Sequence, residues 1–318
     1  MGASSSVRGA LKNCLGEIGM NRHINTLWIG ACLLLLAGHV AAQSHGSWTE
    51  RRRERPTALV TEAPLPAGTR VVRDVRYGND PRQQFDVYAP ERAHDAPVIL
   101  LVHGGAWRIG DKAAPGVVAN KVAYWVPRGA IVISVNYRML PDTPPLEQAR
   151  DLARALGMAQ RRAREWGGDP DRFALMGHSA GAHLVTLLTA RPSLAHEQGA
   201  RDWRGTVSLD SACLDVVRTM RGPHLPLYDQ AFGANPADWF AASPYQHLSA
   251  AAVPVMAVCS SRRRDSCPQA HAFADKLQSL GGRSLVREED LSHEEINKTL
   301  GQPSAYTAAV DAFLRSIW

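Results

Sequence analysis

The sequence predicts an α/β fold built on a mostly parallel sheet, and three observations carry that expectation. Apolar runs at residues 97–102, 130–135, interrupted only by Ser134, and 173–176 have the composition of strands buried on both faces. A segment with helical spacing, residues 146–165, separates the second run from the third, as repeated strand–helix–strand units require. Glycine-rich turns follow the first and third runs, at the carboxyl ends where such sheets place their sites.

Taken in order, residues 43–66 are polar and proline-bearing, with an Arg51-Arg52-Arg53-Glu54-Arg55 run and no periodic pattern, and are expected to be a flexible N-terminus. Residues 69–77 and 84–88 alternate apolar and polar side chains, which predicts an antiparallel edge hairpin. Beyond the third buried run, residues 206–209 form a short strand. Residues 216–251, with Pro223, Pro226, Pro236, Pro244 and several aromatics, read as short helices and loops, an excursion that sets the shape of a pocket. A strand at 253–259, a helix at 273–280, a strand opening at 284–286 and a closing helix at 305–318 complete the chain.

The chemistry gathers around Gly177-His178-Ser179-Ala180-Gly181. An apolar strand enters this turn and an Ala/Leu/Val helical pattern leaves it, the setting of a nucleophile elbow, in which only glycines two before and two after the serine leave room for the crossing backbone. Ser179 is therefore the candidate nucleophile. His103-Gly104-Gly105-Ala106-Trp107 ends the first buried strand, and the N–H groups of Gly105 and Ala106, with that of Ala180, are candidate oxyanion donors. A serine hydroxyl needs an imidazole to take its proton, and the imidazole needs a carboxylate to fix its tautomer. His293, after the last strand, is the candidate base, because His103 belongs to the oxyanion turn, His178 is expected to face away from the pocket and His271 lies on a helix. Asp265, after the preceding strand, is the candidate acid, with Asp210 and Asp215 one strand earlier as alternatives. Substrate choice is expected to lie with residues 216–251 and the loop around Trp107.

Composition bounds the rest. The formal charge is +6 and 45% of residues are hydrophobic. The basic residues are scattered rather than interleaved with aromatics in a stripe, so a nucleic-acid partner is not expected. Residues 20–42 combine a basic start, an apolar core from Leu27 to Leu36 and small residues up to Ala42, which predicts a secretory signal peptide, secretion or export to a periplasm, and no stable membrane insertion. Residues 1–19 are expected to lie upstream of the true start, Met20 being the more natural one, and the Met1-Gly2 myristoylation pattern conflicts with the leader behind it. Cysteines 213, 259 and 267 then remain, enough for one disulfide and one free thiol. Three pairings are open, and Cys259 with Cys267 is preferred because both flank one short loop. Without a Cys/His cluster of zinc spacing, no metal is expected.

Jointly, His103-Gly104-Gly105-Ala106-Trp107, Asn136-Tyr137-Arg138, Gly168-Asp169-Pro170-Asp171-Arg172 and Gly177-His178-Ser179-Ala180-Gly181 resemble the α/β-hydrolase superfamily. The esterase branch, with hormone-sensitive-lipase-like, feruloyl-esterase-like and kynurenine-formamidase-like members, is the nearest. The resemblance implies an α/β-hydrolase catalytic domain over residues 67–318, with an eight-stranded-type, mostly parallel sheet flanked by helices and a short lid excursion. It also implies an acyl-enzyme mechanism without cofactor, acting on a small-molecule ester with short or aromatic acyl groups. Formamide or amide cleavage is the alternative within enzymes, and a non-catalytic binding protein on the same fold is the alternative outside them. The segment from Ser260 to Pro268 departs from the family's Gly-x-x-Asp acid loop and carries the Arg262-Arg263-Arg264 triplet, a solvated turn or an attractor of acidic substrate.

Overall fold

The buried apolar runs become the middle of an eight-stranded sheet in the computed structural model, which describes residues 64–318. The strands are β1 (Thr69–Arg76), β2 (Gln84–Pro90), β3 (Ala96–Val102), β4 (Ile131–Val135), β5 (Gly168–His178), β6 (Gly205–Leu209), β7 (Val255–Ser260) and β8 (Ser284–Glu289), in the spatial order β1-β2-β4-β3-β5-β6-β7-β8. The first two pairings, β1 with β2 and β2 with β4, are antiparallel; every later pairing is parallel. The helices are α1 (Pro115–Trp125), α2 (Pro145–Arg162), α3 (Ala180–Ala190), α4 (Ser193–His196), α5 (Val216–Arg221), α6 (Pro226–Phe232), α7 (Pro236–Ala241), α8 (Pro244–His247), α9 (Ser266–Ser279), α10 (His293–Thr299) and α11 (Ala305–Arg315).

Alternation along the central strands divides the core in two. Val98, Leu100 and Val102 of β3, with Phe173 and Leu175 of β5, pack against α2 and α3 on one face. Ile99 and Leu101, with Ala174 and Met176, pack against α1 and α11 on the other. Because both faces are covered, a polar side chain on these strands would be buried without a partner, which is why they read as unbroken apolar runs. The expected elements are all present, with three adjustments. The helix expected at 273–280 begins seven residues earlier, at Ser266. The last expected loop ends in a helix, α10, that starts on His293 itself. The excursion at 216–251 resolves into the four short helices α5 to α8.

A disulfide joins Cys259, near the end of β7, to Cys267 in the first turn of α9, with Cα atoms 5.1 Å apart, and Cys213 is a buried free thiol. Among the described residues no helix is long and apolar enough to cross a membrane, and no group of side chains is arranged to hold a metal ion. The expected leader and most of the N-terminal segment fall outside the described residues.

Candidate active site

Four strand ends converge on the site. At the end of β5, Ser179 sits at φ 56° and ψ −118°, a conformation an L-residue adopts only where its surroundings enforce it. The enforcement comes from glycines: a Cβ on Gly177 would lie 2.3 Å from the Gly181 carbonyl oxygen, and one on Gly181 would lie 2.4 Å from the Val102 carbonyl oxygen. Neither position tolerates a side chain, so strand, turn and α3 can cross only with glycine at both. The Ser179 N–H donates to the Leu209 carbonyl at 2.9 Å, tying the turn to β6.

His293 Nε2 lies 2.9 Å from Ser179 Oγ, and its Nδ1 lies 2.5 Å from Asp210 Oδ2. With Nδ1–H donated to the carboxylate, the Nε2 lone pair faces the hydroxyl, the arrangement in which an imidazole accepts the serine proton. The structure thus brings Ser179 and His293 together, but the carboxylate at His293 is Asp210 and not Asp265. Asp210 is the first residue after β6, held at φ 54°, fully buried, with its N–H on the Val258 carbonyl at 2.7 Å. Asp265 comes five residues after β7 ends, immediately before α9, and is exposed. The intervening turn carries it away from His293. Asp215, the other alternative, caps α5 by accepting the Arg218 N–H at 3.0 Å.

Asp210 is held from both sides. Its Oδ1 accepts the Ser260 N–H at 2.8 Å and the Ser266 hydroxyl, while its Oδ2 takes the Arg263 guanidinium at 2.7 Å as well as His293. Burial alone would push its carboxyl up, but the bonds from His293, Arg263, Ser266 and Ser260 outweigh that and hold it well below the usual carboxylate range. Arg263 Nη1 is also 3.0 Å from His293 Nδ1. A guanidinium has no acceptor to offer, so this contact sets two donors side by side over one carboxylate oxygen. Arg263 is therefore part of the site's electrostatics. Only its place in the arginine triplet points to it in the sequence.

His178 is not turned away from the site as expected. Its ring lies 4.4 Å from that of His293, and its Nε2–H donates to the His293 carbonyl at 2.9 Å. Burial first, and the neighbouring His293 second, push it down to about 3, so it acts as a neutral donor that holds the backbone of the base. His103 is buried, stacked on Tyr137 at 4.6 Å, with Nδ1 on the Gly104 carbonyl at 2.7 Å. His271 lies on α9, paired with Glu288 at 2.7 Å.

The glycine turn after β3 lies under the serine: a Cβ on Gly104 would sit 2.9 Å from Ser179 Cβ. Gly105 at φ 121° and Ala106 at φ 51° curl the backbone, and their N–H groups have no protein acceptor among the described residues. Ala180 opens α3, so its N–H has no intrahelical carbonyl to reach. None of the three expected donors thus has a protein acceptor among the described residues.

Trp107 departs from expectation. Positive φ values at Ala106 and Trp107 turn its indole inward, where it is 3% exposed, donates Nε1–H to His183 Nδ1 at 3.2 Å and packs edge-on to Phe232 at 5.1 Å. It anchors the turn against α3 and α6 and does not present itself to a substrate.

The chain is similar to known proteins in both sequence and fold. A family model described as BD-FAE matches residues 85–207. The chain is 31% identical over 239 residues to the "Probable carboxylic ester hydrolase LipM" of Mycobacterium tuberculosis, covering 70% of this chain and 55% of that protein. It is 36% identical over 153 residues to the "Probable isoprenylcysteine alpha-carbonyl methylesterase ICMEL1" of Arabidopsis thaliana, covering 48% of this chain and 31% of that protein. The chain thus spans between a third and about half of the length of these relatives. Among solved structures, esterase B of Lactobacillus rhamnosus aligns with a TM-score of 0.64 at 19% identity, over 80% of this chain and 86% of that one. Esterase 2 of Thermogutta terrifontis aligns with a TM-score of 0.64 at 21% identity, over 80% and 96%. The strand order and the solved structures thus show an α/β-hydrolase fold, and the sequence similarity is to proteins named as esterases of that type.

Proposed function

We propose that the protein is a serine carboxylesterase that cleaves small esters through an acyl-enzyme. The observation that carries this is the continuous hydrogen-bond chain Ser179–His293–Asp210 beside three free backbone donors. Ser179 Oγ attacks the ester carbonyl while its proton passes to His293 Nε2. The resulting oxyanion is received by the N–H groups of Gly105, Ala106 and Ala180, each such donor contributing about 3 kcal/mol. Asp210 offsets the charge on the imidazolium. His293 then protonates the leaving alcohol, the C–O bond breaks, and the same histidine activates the water that hydrolyses the acyl-serine. The relatives named as esterases support the reaction class; the preference for short or aromatic acyl groups rests on sequence resemblance. Replacing Ser179 by Ala should lower p-nitrophenyl acetate turnover at least about 10⁴-fold with an unchanged circular dichroism spectrum. Turnover that survives the change rules the reading out.

We also propose that the protein is exported. Residues 20–42 have the composition of a leader, and the Cys259–Cys267 disulfide suits an oxidising compartment. N-terminal sequencing of the natively produced protein should begin at Gln43; a chain found uncleaved in the cytosol would contradict export.

A further inference from the structure

A cavity of about 640 Å³ opens next to Arg263, walled by α5, α6 and the turn between β7 and α9. That is the size of a small-molecule pocket. It is joined to the site through Arg263, which lines the cavity while bonding Asp210. Tyr228, on the same wall, packs 6.0 Å from Trp107 of the oxyanion turn.

The charge on its walls is unbalanced. Three guanidiniums, Arg218, Arg263 and Arg264, face one carboxylate, Asp265, and the fourth basic group, His224, is already paired with Asp229 at 3.0 Å. The arginine triplet divides by partner. Arg262 spans Asp290 at 2.7 Å and Glu295 at 3.4 Å, outside the cavity, and Arg263 holds Asp210. Arg264, like Arg218, has no side-chain hydrogen bond or ion pair among the described residues. Elsewhere Arg138, Arg162 and Arg315 each close on a carboxylate at 2.7 Å. Two guanidiniums left without carboxylates on the walls of one concave site raise the local concentration of anions, and their planar forks match a carboxylate bidentately. Pro223, Leu225 and Tyr228 offer apolar surface for the chain that would carry it.

Resting on the esterase reading, we propose that this cavity receives an anionic group of the substrate, so that the preferred substrates are esters bearing a carboxylate on the acyl or the alcohol side. Two matched pairs test this, each rate normalised to alkaline hydrolysis of the same ester: mono-p-nitrophenyl adipate against p-nitrophenyl hexanoate, and 3-carboxyphenyl butyrate against phenyl butyrate. The expected result is a kcat/KM about tenfold higher for the charged member of at least one pair at low ionic strength. The advantage should shrink at about 0.5 M salt. In the Arg218→Gln/Arg264→Gln variant the advantage should disappear while turnover of both neutral esters is unchanged. Turnover of the neutral esters with no preference in either pair overturns this inference alone, as does a preference that survives in the double variant. Failure to turn over any of the four overturns the esterase reading and this inference with it.

Discussion

His183, on α3, is where three parts of the site meet. Its Nδ1 accepts the indole N–H of Trp107, from the oxyanion turn, and its Nε2–H donates to the carbonyl of Ala242, just after α7, at 2.8 Å. Both bonds require the neutral imidazole, because a proton on Nδ1 would confront the Trp107 donor. Burial pushes His183 down to about 4 from its ordinary 6.5. Between those values the unfolded chain binds a proton that the folded one refuses, so stability is lost as pH falls through this window, at about 1.4 kcal/mol per pH unit for such a group. His178 adds a loss of the same sign, extending to about pH 3. The drop in urea midpoint from pH 7 to pH 5 should therefore be smaller in His183→Gln than in the wild type. An identical drop in both would contradict the assignment. Residues of this kind are illegible in a sequence, since His183 reads only as one polar position on an apolar helix. Asp210 is more legible: it stands directly at the end of an apolar strand, whereas Asp265 lies several residues past one. In a parallel sheet the carboxyl ends of the strands face the site.

At the scale of elements, the base depends on a short helix. His293 is the first residue of α10, and Ser292 before it forms a capping box with Glu295: the Ser292 hydroxyl accepts the Glu295 N–H at 3.3 Å while the Glu295 carboxylate takes the Ser292 N–H at 2.8 Å. Seven residues do not make a stable helix by themselves. Packed neighbours hold it in place, since buried Lys121 of α1 donates Nζ–H to the Asn297 carbonyl at 2.6 Å and Tyr306 of α11 donates its hydroxyl to the Ile296 carbonyl at 2.9 Å. Ser292→Ala should cost about 1 kcal/mol of stability. It should also lower kcat on p-nitrophenyl acetate about threefold to tenfold by loosening the imidazole. Thermal melts and steady-state rates check the two together, and a melt that falls with kcat unchanged would mean that the cap supports the fold alone. The signal for α10 is present in Ser292-His293-Glu294-Glu295, a serine followed three residues later by glutamate, but seven residues are too few for the hydrophobic period to register.

For the whole molecule, the sheet is legible because its central strands are buried on both faces and are written in mostly apolar residues, and because glycine alone fits the crossing at residues 177 and 181. Side-chain convergence is less legible. Which of three aspartates meets His293, where the Trp107 indole points and which arginines find partners depend on turns whose letters carry no period. These turns set the chemistry: β3, β5 and β6 end at the oxyanion loop, the serine and the carboxylate, and α10 after β8 brings the base over them. The central claim, that this convergence activates Ser179 through His293 and Asp210, is tested without assuming any substrate by the rate at which a neutral fluorophosphonate labels the protein, read by intact and peptide mass spectrometry. The expected result is labelling of Ser179 in the wild type, at least about 100-fold slower labelling in Asp210→Asn, and an unchanged rate in Asp265→Asn. No adduct on Ser179, or a rate that falls in Asp265→Asn and not in Asp210→Asn, would contradict the account.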